Sequence, residues 1–325
     1  MSDETENPLD RRGRRPPASI SAAARDSLLA MIALEVPTPP PAQTVEEWEE
    51  RIAFSDRMLL SMLAGPAEDS RIEPVMLGGV AAFDVVPQAL SSAKVCLYLH
   101  GGALIMGGGD VCRAMAASFA QGTQMRTIGL DYRMPPRFPF PTPLNDCVTA
   151  YRALLEDHAP EDVIVAGVSG GGNLAAAMTV RIRDLDLPMP IGVVLLSPEV
   201  DLTESGDSFE TLMGIDPVLR TRLTDTISLY AGGHDLADPL LSPLFADLSA
   251  GFPQTFLQCG TRDLFLSNTV RFHRALRRAK VPAELHVFEA MPHGGFGSML
   301  EGGLGNCPED QEVYIELRRF LSALA

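Results

Sequence analysis

Between Asp162 and Arg183 the chain reads DVIVAGVSGGGNLAAAMTVRIR, a short β-branched run that passes through Gly167-Val168-Ser169-Gly170-Gly171 straight into a helix-forming stretch. No other feature restricts the fold as much. A strand can hand over to a helix here only on a turn so tight that the positions two before and two after the serine have no room for a side chain, and glycine occupies both. A random chain of this length contains G-x-S-x-G with a probability of roughly 0.1, so the motif draws its weight from its surroundings.

From about Ile72 those surroundings are short β-rich runs separated by helical stretches, the pattern of a mainly parallel sheet covered on both faces. The best strands are Val95 to Leu99, Thr127 to Leu130, Val163 to Ala166, Gly192 to Leu196, Thr255 to Gln258 and Leu285 to Phe288. Between the second and third, Leu144, Cys147, Val148, Tyr151, Leu154 and Leu155 keep helical spacing and predict a crossover helix. Ahead of the sheet, Ile20, Ala24, Leu28, Met31 and Ile32 predict a helix from Ser19 to Leu34, which Pro37, Pro39, Pro40 and Pro41 then forbid from continuing. Thr44 and Glu47 form a capping-box pattern before a second helix with Trp48, Ile52, Leu59, Met62 and Leu63 on one face, ending before Gly65-Pro66.

The interval from Pro198 to Pro253 is too long for an ordinary crossover. Within it Asp216-Pro217 reads as an N-cap with proline at the first helical position, opening a helix toward Tyr230. This insertion and the two N-terminal helices are expected to pack together as a lid over the carboxyl ends of the strands, where open α/β sheets bind ligands.

A hydrophobic content of 46% over 325 residues can fill such a core. The 26 basic residues against 42 acidic ones give a formal charge of -16, which repels phosphate backbones and anionic membranes, so neither nucleic acid nor membrane is expected as a partner. Cys96, Cys112, Cys147, Cys259 and Cys307 are odd in number and lack C-x-x-C spacing, which points to no disulfide framework and no metal site, and fits a reducing cytoplasm. The opening MSDETENPLDRRGRRPPAS lacks an apolar signal region, and residues 1–18 read as a disordered tail. No run approaches the roughly 18 apolar residues of a membrane span.

A serine on such a turn becomes a nucleophile when a base can take its proton. Of the six histidines, His158 follows a helix, His273 lies in a helical run, His286 alternates inside a strand and His100 belongs to a glycine turn. His293 remains, in the loop Met291-Pro292-His293-Gly294-Gly295-Phe296 after the last strand. The acid then belongs between Ser169 and His293, and Asp263 stands at the end of the strand before the last; Asp201 competes from the preceding strand, while Asp216 is explained as a helix cap. Asp263 could alternatively be a loop carboxylate paired with Arg262. His100-Gly101-Gly102-Ala103 follows the strand run KVCLYL, and its backbone N–H groups, with that of Gly170, can face a developing oxyanion; the plainer reading is a β-turn. Gly167 and Gly171 flank the serine, and His100 and Gly101 support the second turn. This chemistry calls on no metal or organic cofactor.

With these blocks in hand, the chain resembles the bacterial hormone-sensitive-lipase-like (family IV) esterases of the α/β-hydrolase superfamily, from about Val95 to the C-terminal helix. HGGA stands where the family has HGGG, GVSGGGNLA where it has GDSAGGNLA, DYRMPPRFPFP for YRLAPEHPFP, SPEVDLT for SPWVDLT and MPHGGF for M-x-HGF. The departures are Val168 and Gly170 beside the serine, Arg137 and Phe138 in the proline block, and Glu199 in place of a common tryptophan. The resemblance implies an α/β-hydrolase fold, a mainly parallel central sheet flanked by helices, with a helical cap. Residues 19–66 and 201–236 would form the cap, and 67–200 with 237–325 the core. It implies a serine carboxylesterase for short-chain, small-molecule esters, working through an acyl-enzyme. A lactone or acetyl-ester hydrolase is the alternative, since DPLLSPLFADLSAGFPQTFLQCG is similar to such enzymes. A receptor-like ligand binder is the non-enzymatic alternative, against which the retention of Ser169, Asp263 and His293 speaks. A homodimer is left open.

Overall fold

The structure, a computed structural model, describes residues 15–34, 42–63, 70–297 and 307–324. Most of the expected tail, the Pro37–Pro41 linker and the Gly65-Pro66 helix end therefore lie outside the described residues. In chain order the elements are α1 (Ala22–Ala33), α2 (Val45–Met62), β1 (Ser70–Leu77), β2 (Val80–Pro87), β3 (Val95–Leu99), α3 (Asp110–Thr123), β4 (Arg126–Leu130), α4 (Thr142–Asp157), β5 (Val163–Val168) and α5 (Gly170–Asp184). They continue as β6 (Gly192–Leu196), α6 (Ser208–Thr211), α7 (Thr224–Ala231), β7 (Gln254–Gly260), α8 (Leu266–Arg278), β8 (Ala283–Phe288) and α9 (Pro308–Ala323).

The strands form one sheet in the order β1-β2-β4-β3-β5-β6-β7-β8, antiparallel through β1, β2 and β4 and parallel from there on. Strand periodicity divides the core in two. Val95, Leu97 and Leu99 of β3 pack with residues of α4, α5 and α8 on one face, whereas Cys96 and Tyr98 pack with α3 and α9 on the other. The hairpin β1–β2 is absent from the strands read off the sequence, although Gly78 and Gly79, both at positive φ, make the turn that joins it. Its first strand lies at the sheet edge, half-exposed, and carries Pro74, which an edge strand tolerates.

The capping box of α2 is realised: Glu47 N–H donates to Thr44 Oγ1, and Thr44 N–H donates to Glu47 Oε2, each at 3.2 Å. In front of it, Ala24 and Leu28 of α1, with Ile20 just ahead of that helix, cluster with Met291, Phe296 and Val313, and Ser21 donates its N–H and hydroxyl to Glu309 of α9. At its far end, Arg220 donates to the carbonyls of Met31 and Leu34, so the insertion holds the last turn of α1.

The insertion itself differs from the expectation at one point. No helix opens at Pro217; the helix begins at Thr224 and lasts eight residues. Asp216 directs one carboxylate oxygen to Val218 N–H, an Asx turn, and the other to Leu264 N–H in the core, each at 2.9 Å, so it caps no helix.

Candidate active site

The turn at Ser169 is built as its glycines require. Ser169 has φ 56°, a left-handed value that an L-residue adopts only under constraint. A Cβ on Gly167 would stand 2.1 Å from Gly171 O, and one on Gly171 would stand 2.1 Å from Leu99 O. Ser169 N–H donates to Leu196 O of β6, and Glu199 N–H returns a bond to Ser169 O, which fixes the serine at the carboxyl end of the sheet.

His293 and Asp263 are brought to it by two loops stitched together after β7 and β8. Arg262 N–H donates to Met291 O, Ala290 N–H to Thr261 Oγ1, and a Cβ on Gly260 would lie only 1.8 Å from Met291 O. Ser169 Oγ lies 2.9 Å from His293 Nε2, and His293 Nδ1 lies 3.0 Å from Asp263 Oδ1. The same Oδ1 accepts Phe265 N–H at 2.8 Å, and the Phe265 ring meets the imidazole edge-on. Asp263 Oδ2 is buried and has no partner among the described residues. All three side chains are nearly removed from solvent. Such a series can draw the hydroxyl proton onto imidazole as the oxygen attacks.

Electrostatics favours a ring that holds a proton. Burial disfavours the imidazolium, but the charge and hydrogen bond of Asp263, then the charges of Asp216 and Glu199, outweigh it and lift the His293 pKa above its ordinary value. Asp216, which the sequence predicts as a helix cap, thus contributes its charge to the field at His293. Its carboxyl is pushed up to about 6 by burial and then by the neighbouring Asp263. Glu199 is fully buried with both oxygens unpartnered among the described residues; burial, then Glu204, pushes it up to about 8 against the pull of His293. The competitor Asp201 faces elsewhere, binding Arg271 at 2.6 Å together with the hydroxyls of Thr203 and Ser205.

Across the serine, Gly102 (φ 129°) and Ala103 (φ 50°) turn the chain back on itself, closed by Ile105 and Met106 N–H donating to Gly102 O. Among the described residues the amides of Gly102, Ala103 and Gly170 donate to no protein acceptor, which leaves three donors free beside Ser169. Gly101 packs against the serine directly: a Cβ there would be 3.4 Å from Ser169 Cβ. His100 anchors the turn, its ring stacked on Tyr132 at 4.2 Å and its carbonyl accepting the Tyr132 hydroxyl. Two departures from the family pattern have local reasons. A Cβ on Gly170 would lie 2.8 Å from Leu104 N, and Arg137 makes a two-point ion pair with Glu49 of α2.

A pocket of about 300 Å³ opens onto Ser169 and His293. Its lining includes Leu59 and Leu63 from the α2 segment, Val218, Leu219 and Leu223 from the insertion, and Tyr98, Phe119 and Tyr314. An apolar chamber with a few polar atoms at one spot suits a small, mostly apolar ligand.

Sheet, strained serine turn and proton-withdrawing series together describe a hydrolase of the α/β type. Residues 96–297 match the α/β hydrolase fold family, to which the chain belongs, and its likenesses fall among the bacterial hormone-sensitive-lipase-like esterases. It is 32% identical over 231 residues to an esterase of Acinetobacter venetianus, covering 68% of this chain and 73% of that one. An acetyl-hydrolase of Streptomyces hygroscopicus is 32% identical, over 67% of this chain and 74% of its own. The crystal structure of an esterase from the bacterial hormone-sensitive lipase family superposes with TM-score 0.80 at 31% identity, covering 94% of this chain and 98% of that one.

Proposed function

We propose that the protein hydrolyses small carboxylic esters through a covalent acyl-serine. The observation that carries this reading is the continuous hydrogen-bonded series from Asp263 through His293 to Ser169 on a strained turn. Ser169 Oγ attacks the acyl carbon while its proton passes to His293 Nε2; the ester C–O bond then breaks, and the alcohol leaves with that proton. Water attacks the acyl-serine, gives a proton to Nε2, and the carboxylic acid departs as Ser169 regains its hydrogen. The free amides of Gly102, Ala103 and Gly170 hold the oxyanion, each such donor contributing about 3–4 kcal/mol to the transition state. Asp263 keeps the imidazole in the tautomer that presents a bare Nε2.

The bounded pocket favours short acyl chains, with α2 and the insertion acting as its cap. Acetyl esters are the nearest variant of the same reading, since an acetyl-hydrolase is among the relatives. Among the described residues no helix is long and apolar enough to cross a membrane, and five free, buried cysteines support a cytoplasmic setting. The test is a rate series on p-nitrophenyl esters of increasing chain length and on lactones, with Ser169→Ala alongside. Loss of all turnover in a folded variant, and covalent trapping of Ser169 by an organophosphonate, are expected. A variant that keeps most of its kcat would remove the nucleophile from the scheme.

A further inference from the structure

Behind the glycine turn, three side chains that the ester chemistry does not use converge. His100 follows β3, Asp131 follows the neighbouring parallel strand β4, and Cys112 lies in the first turn of α3 above them. One donor atom from each, a ring nitrogen, the thiol sulfur and a carboxylate oxygen, lies within 4.8 Å of the other two. We propose that His100, Cys112 and Asp131 form a binding site for one thiophilic divalent cation of the zinc class.

The hydrogen-bond inventory supports this. His100 Nδ1 lies 2.8 Å from Gly101 O, and because a carbonyl only accepts, Nδ1 carries the ring hydrogen. Nε2 is therefore a bare lone pair, and it is fully buried with no partner among the described residues. A ring nitrogen, a thiol sulfur and a carboxylate oxygen thus converge within 4.8 Å, beside a ring whose Nε2 is left without a partner among the described residues. A cation supplies what the arrangement lacks: Cys–SH and the metal ion give a metal–thiolate bond and one released proton.

The donor set of nitrogen, thiolate and carboxylate suits zinc, at bonds of about 2.0–2.3 Å, with water completing four ligands. A histidine whose other ring nitrogen is fixed on a backbone carbonyl is the usual outer-shell arrangement of a metal ligand. Gly107 packs against the ring, since a Cβ there would stand 2.7 Å from His100 Nδ1, so closure on the ion falls to Cys112 and Asp131. Asp131 is only partly buried and its Oδ1 accepts Gly109 N–H at the surface, which leaves the ion a way in.

The test is titration of the chelator-treated full chain with zinc chloride in equilibrium dialysis, and with cadmium chloride followed by ultraviolet thiolate–cadmium charge transfer. One zinc per chain is expected, with a cadmium band that saturates at one equivalent. Cys112→Ala should abolish the band and weaken zinc binding at least about tenfold. Asp131→Asn keeps the acceptor for Gly109 and the thiol, so it should fold, retain the band and require at least about tenfold more metal. The site is overturned if the native chain takes up no stoichiometric zinc, or if Cys112→Ala binds as tightly and keeps the band. Wild-type affinity in Asp131→Asn overturns it equally, which decides the matter should Cys112→Ala fail to fold.

Discussion

Replacing Asp263 by asparagine isolates the charge of the acid from its geometry. A single oxygen, Oδ1, accepts both from Phe265 N–H and, at 3.0 Å, from His293 Nδ1, while Oδ2 is an orphan. An asparagine that leaves its oxygen on these two donors puts the NH2 group in the orphan position. The tautomer of His293 then survives, and what disappears is attraction between the carboxylate and the imidazolium of the transition state. Two unit charges about 4 Å apart at an effective dielectric of about 20 attract by about 4 kcal/mol, which is about 10³ in rate. A loss of about 10³ in kcat is expected, smaller than the ~10⁴ of a protease in which asparagine also imposes the wrong tautomer. KM should change little. The pH profile gives an independent reading. In the proposed scheme His293 works as a base only when neutral, and its raised pKa should make activity fall as pH drops through a value above the ordinary one. Without the Asp263 charge, burial pulls the other way, so the acid limb of kcat/KM should move to lower pH. Steady-state assays on p-nitrophenyl butyrate across the pH range measure both, with Asp201→Asn, expected to be near wild type, as control. A loss below tenfold, or a limb that stays in place, refutes the role given to Asp263.

Three further outcomes follow from the packing and the buried charges. Gly171→Ala places a Cβ 2.1 Å from Leu99 O and 2.3 Å from His100 O, so activity and soluble yield should both collapse; wild-type kcat would contradict the steric account of the turn. Glu199 holds its proton up to about pH 8 in the folded chain but releases it near 4.5 when unfolded, so stability falls by about 1.4 kcal/mol per pH unit between those values. Glu199→Gln should therefore raise Tm near pH 8 and leave it unchanged near pH 4.5, and an equal shift at both pH values would show that ionisation is not involved. Leu28→Ala removes a fully buried side chain from the cluster that holds the His293 loop, and should cost about 2–5 kcal/mol in denaturant unfolding; an unchanged midpoint would place α1 outside the cooperative unit.

What could be read from the sequence was whatever depends on local sterics or on a fixed chain order. The glycines around Ser169 announce their turn because no other residue fits. The buried strands β3 to β7 announce themselves as short, mostly apolar runs, and His293 and Asp263 follow from their places after the last two strands. The edge hairpin escaped because Ser70–Leu77 is half-exposed and broken by Pro74, although Gly78-Gly79 was there to be noticed. Asp216 was misread for a different reason. Asp-Pro looks the same whether it caps a helix or accepts from Leu264, 48 positions away, and only tertiary structure separates the two. The cluster of His100, Cys112 and Asp131 has no spacing motif, since adjacent strands and one helix turn bring it together.

The docking of α1 also has a consequence in time. Its partners are Glu309 and the side chains of Met291, Phe296 and Val313, and Ser21 is separated from Glu309 by 288 positions. A ribosome adding about 5–20 residues per second needs on the order of 15–60 s to cover that distance. Through much of that interval the sheet from β1 to β6 can assemble while α1 lacks its apolar docking surface, with Arg220 of the insertion arriving earlier to meet its last turn. The segment emerges before the sheet yet docks after it, and the loop carrying His293 gains its backing only when the far end of the chain has arrived.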